Sequence, residues 1–248
     1  MKIKEKLGKL FNCLFVNDYK CIICNREIQK DSRYSICQHC FDNLPTITKS
    51  CSKCGARIVS GKVCLNCKTT LPLIEKSYAV FEYITPITNL IYRLKFNNER
   101  YLAKYLGNFL VDYYKNKKLK VDYIIPVPLN FIRLKERKFN QVELLCENFK
   151  DINVEVKCNV IERIVNTPHQ TTLTRDQRLK NVKGAFRVID KALVKDKTIL
   201  IVDDVYTTGA TINEIAEVLY NAKAKKVYAL TLAHTTDNRI LNVKESKW

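Results

Sequence analysis

Hydrophobic positions follow two regimes along this chain. Up to about residue 70 long apolar runs are scarce. From about residue 77 onward, short apolar runs alternate with stretches of helical spacing. Ile199 to Val202 form an unbroken aliphatic run, the pattern of a strand covered on both faces of a parallel sheet. Ile212, Ile215, Ala216 and Leu219 then recur at i, i+3, i+4 and i+7, which lines up one face of a helix. Similar patterns predict strands over 77–83, 122–127 and 226–233 and helices over 87–94, 103–114 and 141–149, the last from Val142, Leu145, Cys146 and Phe149. Strands alternating with helices predict an α/β domain built on a parallel sheet flanked by helices. In such sheets, ligands sit beyond the carboxyl ends of the strands.

The run 199–202 leads into Asp203 and Asp204, then into a turn containing Thr207, Thr208, Gly209, Ala210 and Thr211, then into the helix pattern. A small, hydroxyl-rich turn at a helix N-terminus exposes backbone N–H groups to an anion, and a phosphate suits it. The two carboxylates would repel that phosphate. They can instead accept hydrogen bonds from sugar hydroxyls or help hold Mg²⁺. A phosphate beside a diol describes a ribose 5-phosphate.

The polar first regime carries different chemistry. Eight of the 11 cysteines form four Cys-x-x-Cys pairs: Cys21/Cys24, Cys37/Cys40, Cys51/Cys54 and Cys64/Cys67. Thiolates two residues apart on a tight turn grip one side of a tetrahedral metal, and two pairs complete a Zn²⁺ site. The simplest wiring is sequential, Cys21, Cys24, Cys37 and Cys40 for one ion and Cys51, Cys54, Cys64 and Cys67 for the other; an interleaved wiring is open. Gly55 suits the turn after Cys54. Four thiolates leave no coordination position for water, so these sites read as structural staples for a segment too small to bury a core. No secretion signal is visible, which argues against a disulfide framework. His39 is a bystander beside Cys40, and Cys146 belongs to an apolar helix face. These features predict a cysteine-rich double zinc module over 1–72 and the α/β domain over 73–248.

Composition is that of an ordinary globular chain, with nothing near the roughly 18 apolar residues in a row that suggest a membrane span. The expected location is therefore cytoplasmic. The formal charge of +18, from 43 Lys and Arg against 25 Asp and Glu, points to polyanion partners such as pyrophosphate-bearing substrates or nucleic acid. Zinc-bound thiolates would lower this excess without cancelling it. Candidate basic positions cluster in three places: Arg93 and Lys95 within 92–98, Arg133 to Gln141, and His169 to Arg178.

The string Asp203-Asp204-Val205-Tyr206-Thr207-Thr208-Gly209-Ala210-Thr211 resembles the phosphoribosyl-pyrophosphate-binding motif of type I phosphoribosyltransferases. Together with the paired cysteines, the run Arg137-Lys138-Phe139-Asn140-Gln141, and a Gln170 … Leu173 … Arg178 … Asn181 … Phe186 pattern, the chain resembles the ComF family of competence-associated proteins over about residues 10–235. The family carries Gly where this chain has Lys138, which puts a left-handed backbone there in doubt.

The resemblance implies a type I phosphoribosyltransferase-like fold that binds phosphoribosyl pyrophosphate with Mg²⁺. Asp203 and Asp204 would hold the ribose hydroxyls, and residues 207–211 the 5-phosphate. Lys95, with Arg93 second, would lie in the pyrophosphate loop. Arg137, Asn140 and Gln141 would belong to a hood over the substrate, and Arg178 would contact an anion. It also implies a link to single-stranded DNA uptake and a partner in the competence machinery. Two functions remain open: a phosphoribosyltransferase of unspecified acceptor, and a non-catalytic scaffold that binds single-stranded DNA or senses a nucleotide, with Tyr34, Phe41, Tyr92 or Phe139 stacking on bases.

Overall fold

The computed structural model describes residues 19–30, 32–165 and 182–235. The chain divides into two compact units, 1–43 and 44–248. This division falls between the two cysteine groups and leaves the second group with the sheet. The reason is packing: Cys51, Cys54, Cys64 and Cys67 belong to the same buried cluster as the sheet residues Ile199, Ile201, Val227 and Ala229.

The smaller unit contains α1 (Gln38–Asp42). The larger unit runs α2 (Leu65–Thr69), β1 (Lys76–Glu82), α3 (Ile87–Phe96), α4 (Leu102–Asn116), β2 (Tyr123–Pro126), α5 (Phe131–Arg137), α6 (Gln141–Cys146), β3 (Ile161–Arg163), β4 (Phe186–Val188), β5 (Thr198–Tyr206), α7 (Ala210–Asn221) and β6 (Lys226–His234). β1, β6, β5 and β2 form, in that order, a parallel sheet. β3 and β4 form a separate antiparallel pair.

Burial explains the strands. Ile199, Leu200, Ile201 and Val202 are all fully buried, as an aliphatic run covered on both faces requires. Alternate positions serve opposite sides. Tyr123, Ile125, Ile199, Ile201, Val227 and Ala229 share one cluster with α7 residues Ile212, Ile215, Ala216 and Leu219 and with the second cysteine group. On the helices away from that cluster, α3, α4 and α6 bury Leu90, Leu94, Leu106, Leu110 and Leu145. Phe109 of α4 meets Phe81 of β1 edge-on, with centroids 5.0 Å apart.

The outer edge of β1 is not left bare. Ile47 donates to Val80 O, Glu82 to Pro45 O and Ser77 to Lys53 O, so the segment leading into the second cysteine group satisfies the strand's backbone. Gly55 is needed at this seam. Its φ is +81°, and a Cβ would lie 2.8 Å from the Ser77 carbonyl oxygen.

Candidate functional site: a cleft at the strand ends and two cysteine tetrads

β5 outlasts its neighbour β2. Their pairing ends at Pro126 and Val202, while β5 continues beside β6 as far as Tyr206 and His234. The Asp pair therefore lies within the strand rather than after it, on a stretch whose β2 side has no partner strand. A cleft of about 330 Å³ opens there. It is lined by Asp203, Asp204, Thr207, Gly209, Ala210 and Thr211 of the predicted site, together with Lys95, Arg137 and Gln141.

Strand alternation sends the two carboxylates to different partners. Asp204 is buried. Its Oδ1 accepts from Lys95 Nζ at 2.7 Å and its Oδ2 from Gln141 Nε2 at 2.7 Å. Gln141 is itself oriented, since Arg137 Nη1 donates to its Oε1 at 2.9 Å. Asp203 accepts from the Asp204 backbone N–H at 2.8 Å. Desolvation, then the neighbouring Asp204 charge, pushes the Asp203 carboxyl up to about 7, while Lys95 and Arg163 pull the other way.

The turn is set by Gly209, which has φ 78° and precedes α7. A Cβ at that position would collide with the Tyr206 hydroxyl. Thr208 does not line the cleft; its Oγ1 accepts from Ala210 N at 3.3 Å. Tyr206 is buried and stacked on His234 with centroids 4.6 Å apart and planes 14° apart. Thr235 donates its backbone N–H to Tyr206 O at 3.0 Å and so fastens the end of β5.

Other predicted positions fall differently. Lys95 and Arg93 lie in the last two turns of α3, not in a loop after it. Arg93 is held by Glu99 at 2.6 Å and is not among the cleft-lining residues. The stretch 131–137, which carries much of the basic run, is helix α5, started by Asn130, whose side chain accepts from Arg133 N. Lys138 closes α5 in the left-handed conformation, φ 64°, with its N–H on Leu134 O. The conformation that seemed to require glycine is adopted by lysine.

Phe139 is buried beneath Arg100, 4.5 Å from the ring centroid, so it offers no face to a base. Asn140 is a structural cap: it accepts from Val142 N and donates to Val127 O. Arg178, with His169, Gln170 and Asn181, lies outside the described residues.

Two cleft residues lacked any local signal, and a third lay in a basic run without a role of its own. Arg133 stands in the basic run but was not singled out, and Arg163 and Tyr83 sit at ordinary element ends. Burial lowers the Arg163 guanidinium to about 10, with the like charge of Arg133 adding to the effect. Its guanidinium lies 5.4 Å from the centroid of the Phe186 ring.

The cysteines gather in sequential tetrads: Cys21, Cys24, Cys37 and Cys40, and Cys51, Cys54, Cys64 and Cys67, with the sulfurs of each within 4.8 Å of one another. Cys24–Cys37 and Cys54–Cys64 Sγ distances are both 3.6 Å. Tetrahedral zinc with Zn–S near 2.3 Å places its sulfurs about 3.8 Å apart, so both tetrads fit it. The two knuckles repeat one hydrogen-bond pattern. Cys21 N–H donates to Arg26 O and Cys51 N–H to Ala56 O; Asn25 N–H donates to Cys21 O and Gly55 N–H to Cys51 O. Among the described residues no helix is long and apolar enough to cross a membrane.

Residues 118–248 match the family model of the phosphoribosyl transferase domain. Competence protein F of Haemophilus influenzae is 30% identical over 226 residues, covering 87% of this chain and 97% of that protein. DNA utilization protein YhgH of Escherichia coli K12 is 30% identical over 209 residues, covering 82% and 91%. Competence protein ComFC of Streptococcus pneumoniae is 29% identical over 230 residues, covering 86% and 99%. With a phosphoribosyltransferase domain behind an N-terminal run of paired cysteines, and with relatives matched over nearly their full length, the chain belongs to the ComF family.

Proposed function

We propose that the protein binds phosphoribosyl pyrophosphate with Mg²⁺ in the cleft at the end of β5 and acts as a phosphoribosyltransferase in DNA uptake. The observation that carries this reading is the convergence of an Asp pair and a glycine-centred helix N-terminus on one cleft. Turn 207–211 would take the 5-phosphate on its N–H groups and hydroxyls. Asp203 and Asp204 would accept from the ribose hydroxyls. Lys95, released from Asp204 as the ribose arrives, would meet the departing pyrophosphate.

The reaction breaks the bond from the anomeric carbon to the pyrophosphate oxygen, and pyrophosphate leaves with the electron pair. A nucleophile then bonds to the opposite face of the carbon. Among the described residues the only groups of three or more candidate metal ligands are the cysteine tetrads. Mg²⁺ therefore fits here as an ion carried by oxygens of the ligand, where it would neutralise the leaving group.

Calorimetric titration of the zinc-loaded protein with Mg²⁺ and phosphoribosyl pyrophosphate tests this. Saturable binding is expected, and it is abolished in Asp203→Asn/Asp204→Asn. A wild type that takes up no ligand would leave the fold as a scaffold.

A second reading is favoured by the surface beside the cleft. A cavity of about 310 Å³ lies between Phe96, Asn98, Arg137, Lys138 and Phe139. Tyr92, Phe96 and Tyr101 are more than half exposed, and Arg137 stacks 4.9 Å from the Phe96 ring centroid. Exposed rings interleaved with cations suit single-stranded DNA. The competence names of the relatives agree with such a partner. The two readings are compatible, with DNA presented beside the nucleotide cleft.

A further inference from the structure

The two tetrads are alike in ligands and unlike in setting. The second is buried in the cluster that also contains Tyr206, Ile212 and Ile215, the residues directly beneath the phosphate turn. Tyr206 stands between them. Its hydroxyl fills the space next to Gly209 that a Cβ would need, and its ring is clamped by His234 on one face. A second strut runs alongside: Leu73 N–H, just past the tetrad, donates to Asn213 Oδ1 at 3.0 Å, and Asn213 N–H donates to Gly209 O at 2.8 Å. The turn is thus braced from below through a ring and from the side through an amide, and both braces start at the same cysteine group.

We infer that the second cysteine tetrad is part of the phosphate site: metal bound by Cys51, Cys54, Cys64 and Cys67 fixes Tyr206 as a positioning residue under turn 207–211 and so sets that turn's grip on phosphate. An anion site made of backbone N–H groups binds well only when those groups already point inward, because ordering them on binding costs affinity. The metal supplies that order in advance. The inference rests on the cleft being a phosphoribosyl-pyrophosphate site.

The full-length protein tests it through two readouts, amide hydrogen exchange over 207–213 and calorimetric binding of Mg²⁺–phosphoribosyl pyrophosphate. Cys54→Ser/Cys67→Ser, confirmed to have lost one zinc, is expected to speed exchange over 207–213 about tenfold and to weaken binding by a similar factor, with β6 amides still protected. Tyr206→Leu is expected to do the same with both zincs retained, and Tyr206→Phe, which keeps the ring, to restore most of the protection. Wild-type exchange over 207–213 in either the cysteine variant or Tyr206→Leu overturns the inference. If the cysteine variant also loses protection throughout β6, Tyr206→Leu alone decides, by the same criterion. Should wild type bind no ligand while exchange responds as expected, the brace stands and the assignment of the cleft falls.

Discussion

The Lys95 ammonium donates to Asp204 Oδ1 at 2.7 Å, joining α3 to β5 across 109 residues of chain. Both side chains are mostly buried, with relative exposures of 19% and 7%. In the free protein, then, the cation assigned to the leaving group and the carboxylate assigned to the sugar neutralise each other. On the proposed function, ligand entry would exchange this pair for two others.

Lys95→Met is expected to lower stability by about 1–3 kcal/mol, since it strands a buried carboxylate. It should also weaken Mg²⁺–phosphoribosyl pyrophosphate binding by about tenfold or more. Arg93→Ala breaks a partly exposed pair with Glu99 and should cost less than about 1 kcal/mol, with affinity shifted by less than about threefold. Equal losses of affinity in the two variants would return Arg93 to the site. Thermal unfolding and calorimetry read both effects.

Asp204→Asn preserves shape while removing the charge that holds Lys95 and Gln141. Ligand affinity should fall by at least about tenfold, with far-ultraviolet circular dichroism unchanged. Affinity at the wild-type level would remove Asp204 from the ribose site.

Asp203 gives the site a pH dependence with a definite sign. Its carboxyl rises from an ordinary 3.8 to about 7 on folding. A group raised in this way contributes stability that is full below about 3.8 and is lost as pH climbs through about 7. Ribose hydroxyls donate to the ionised form, so affinity should move oppositely, rising with pH up to about 7 and levelling above it. Melting curves and titrations between pH 5.5 and 8.5 check both trends. Asp203→Asn should flatten the part of each that does not come from the ligand's own phosphates.

Lys138 holds a left-handed backbone at the end of α5, a conformation that costs a side-chain-bearing residue about 1–2 kcal/mol. Lys138→Gly relieves it but gives the unfolded chain more freedom. A net gain of up to about 1 kcal/mol is expected, and a β-branched Lys138→Val should destabilise. Denaturant titration distinguishes the two. A Gly variant less stable than wild type would show that the lysine side chain contributes more than its backbone costs.

Binding to single-stranded DNA, through the basic and aromatic surface around Phe96, should weaken steeply as salt is raised, because phosphate contacts release counterions. Fluorescence anisotropy with an oligonucleotide at several salt concentrations reads the slope. A flat response would rule out phosphate contacts as the source of affinity.

Much of this was legible in the amino-acid sequence because it is written in neighbouring residues. The run Ile199–Val202, the Asp pair, the glycine turn and the helical spacing of α7 lie within 21 consecutive positions, and the cysteine spacing marks both tetrads. What escaped depends on long-range packing. Nothing near Cys51 announces that its knuckle lies along β1. Nothing in Ile161–Arg163 marks an arginine destined for the cleft, since a strand that short has no usable period. The motif places Asn140 over the substrate with Arg137 and Gln141, and offers Phe139 as a ring to stack on bases. In the fold those two neighbours reach the cleft, while Phe139 packs under Arg100 and Asn140 caps α6. A motif kept together in sequence is divided between chemistry and architecture.

The two knuckles make the same backbone hydrogen bonds thirty residues apart, yet Cys24 is exposed and Cys37 half-buried, whereas all four sulfurs of the later tetrad are buried. Metal exchange depends on a competing ligand reaching the thiolates. The earlier site should therefore trade its ion readily with zinc buffers and chelators, and the later one should be slow to do so. One repeated motif would thus supply a labile metal site and an inert one, and the inert one would lie beside turn 207–211, where a fluctuating zinc supply would disturb it least.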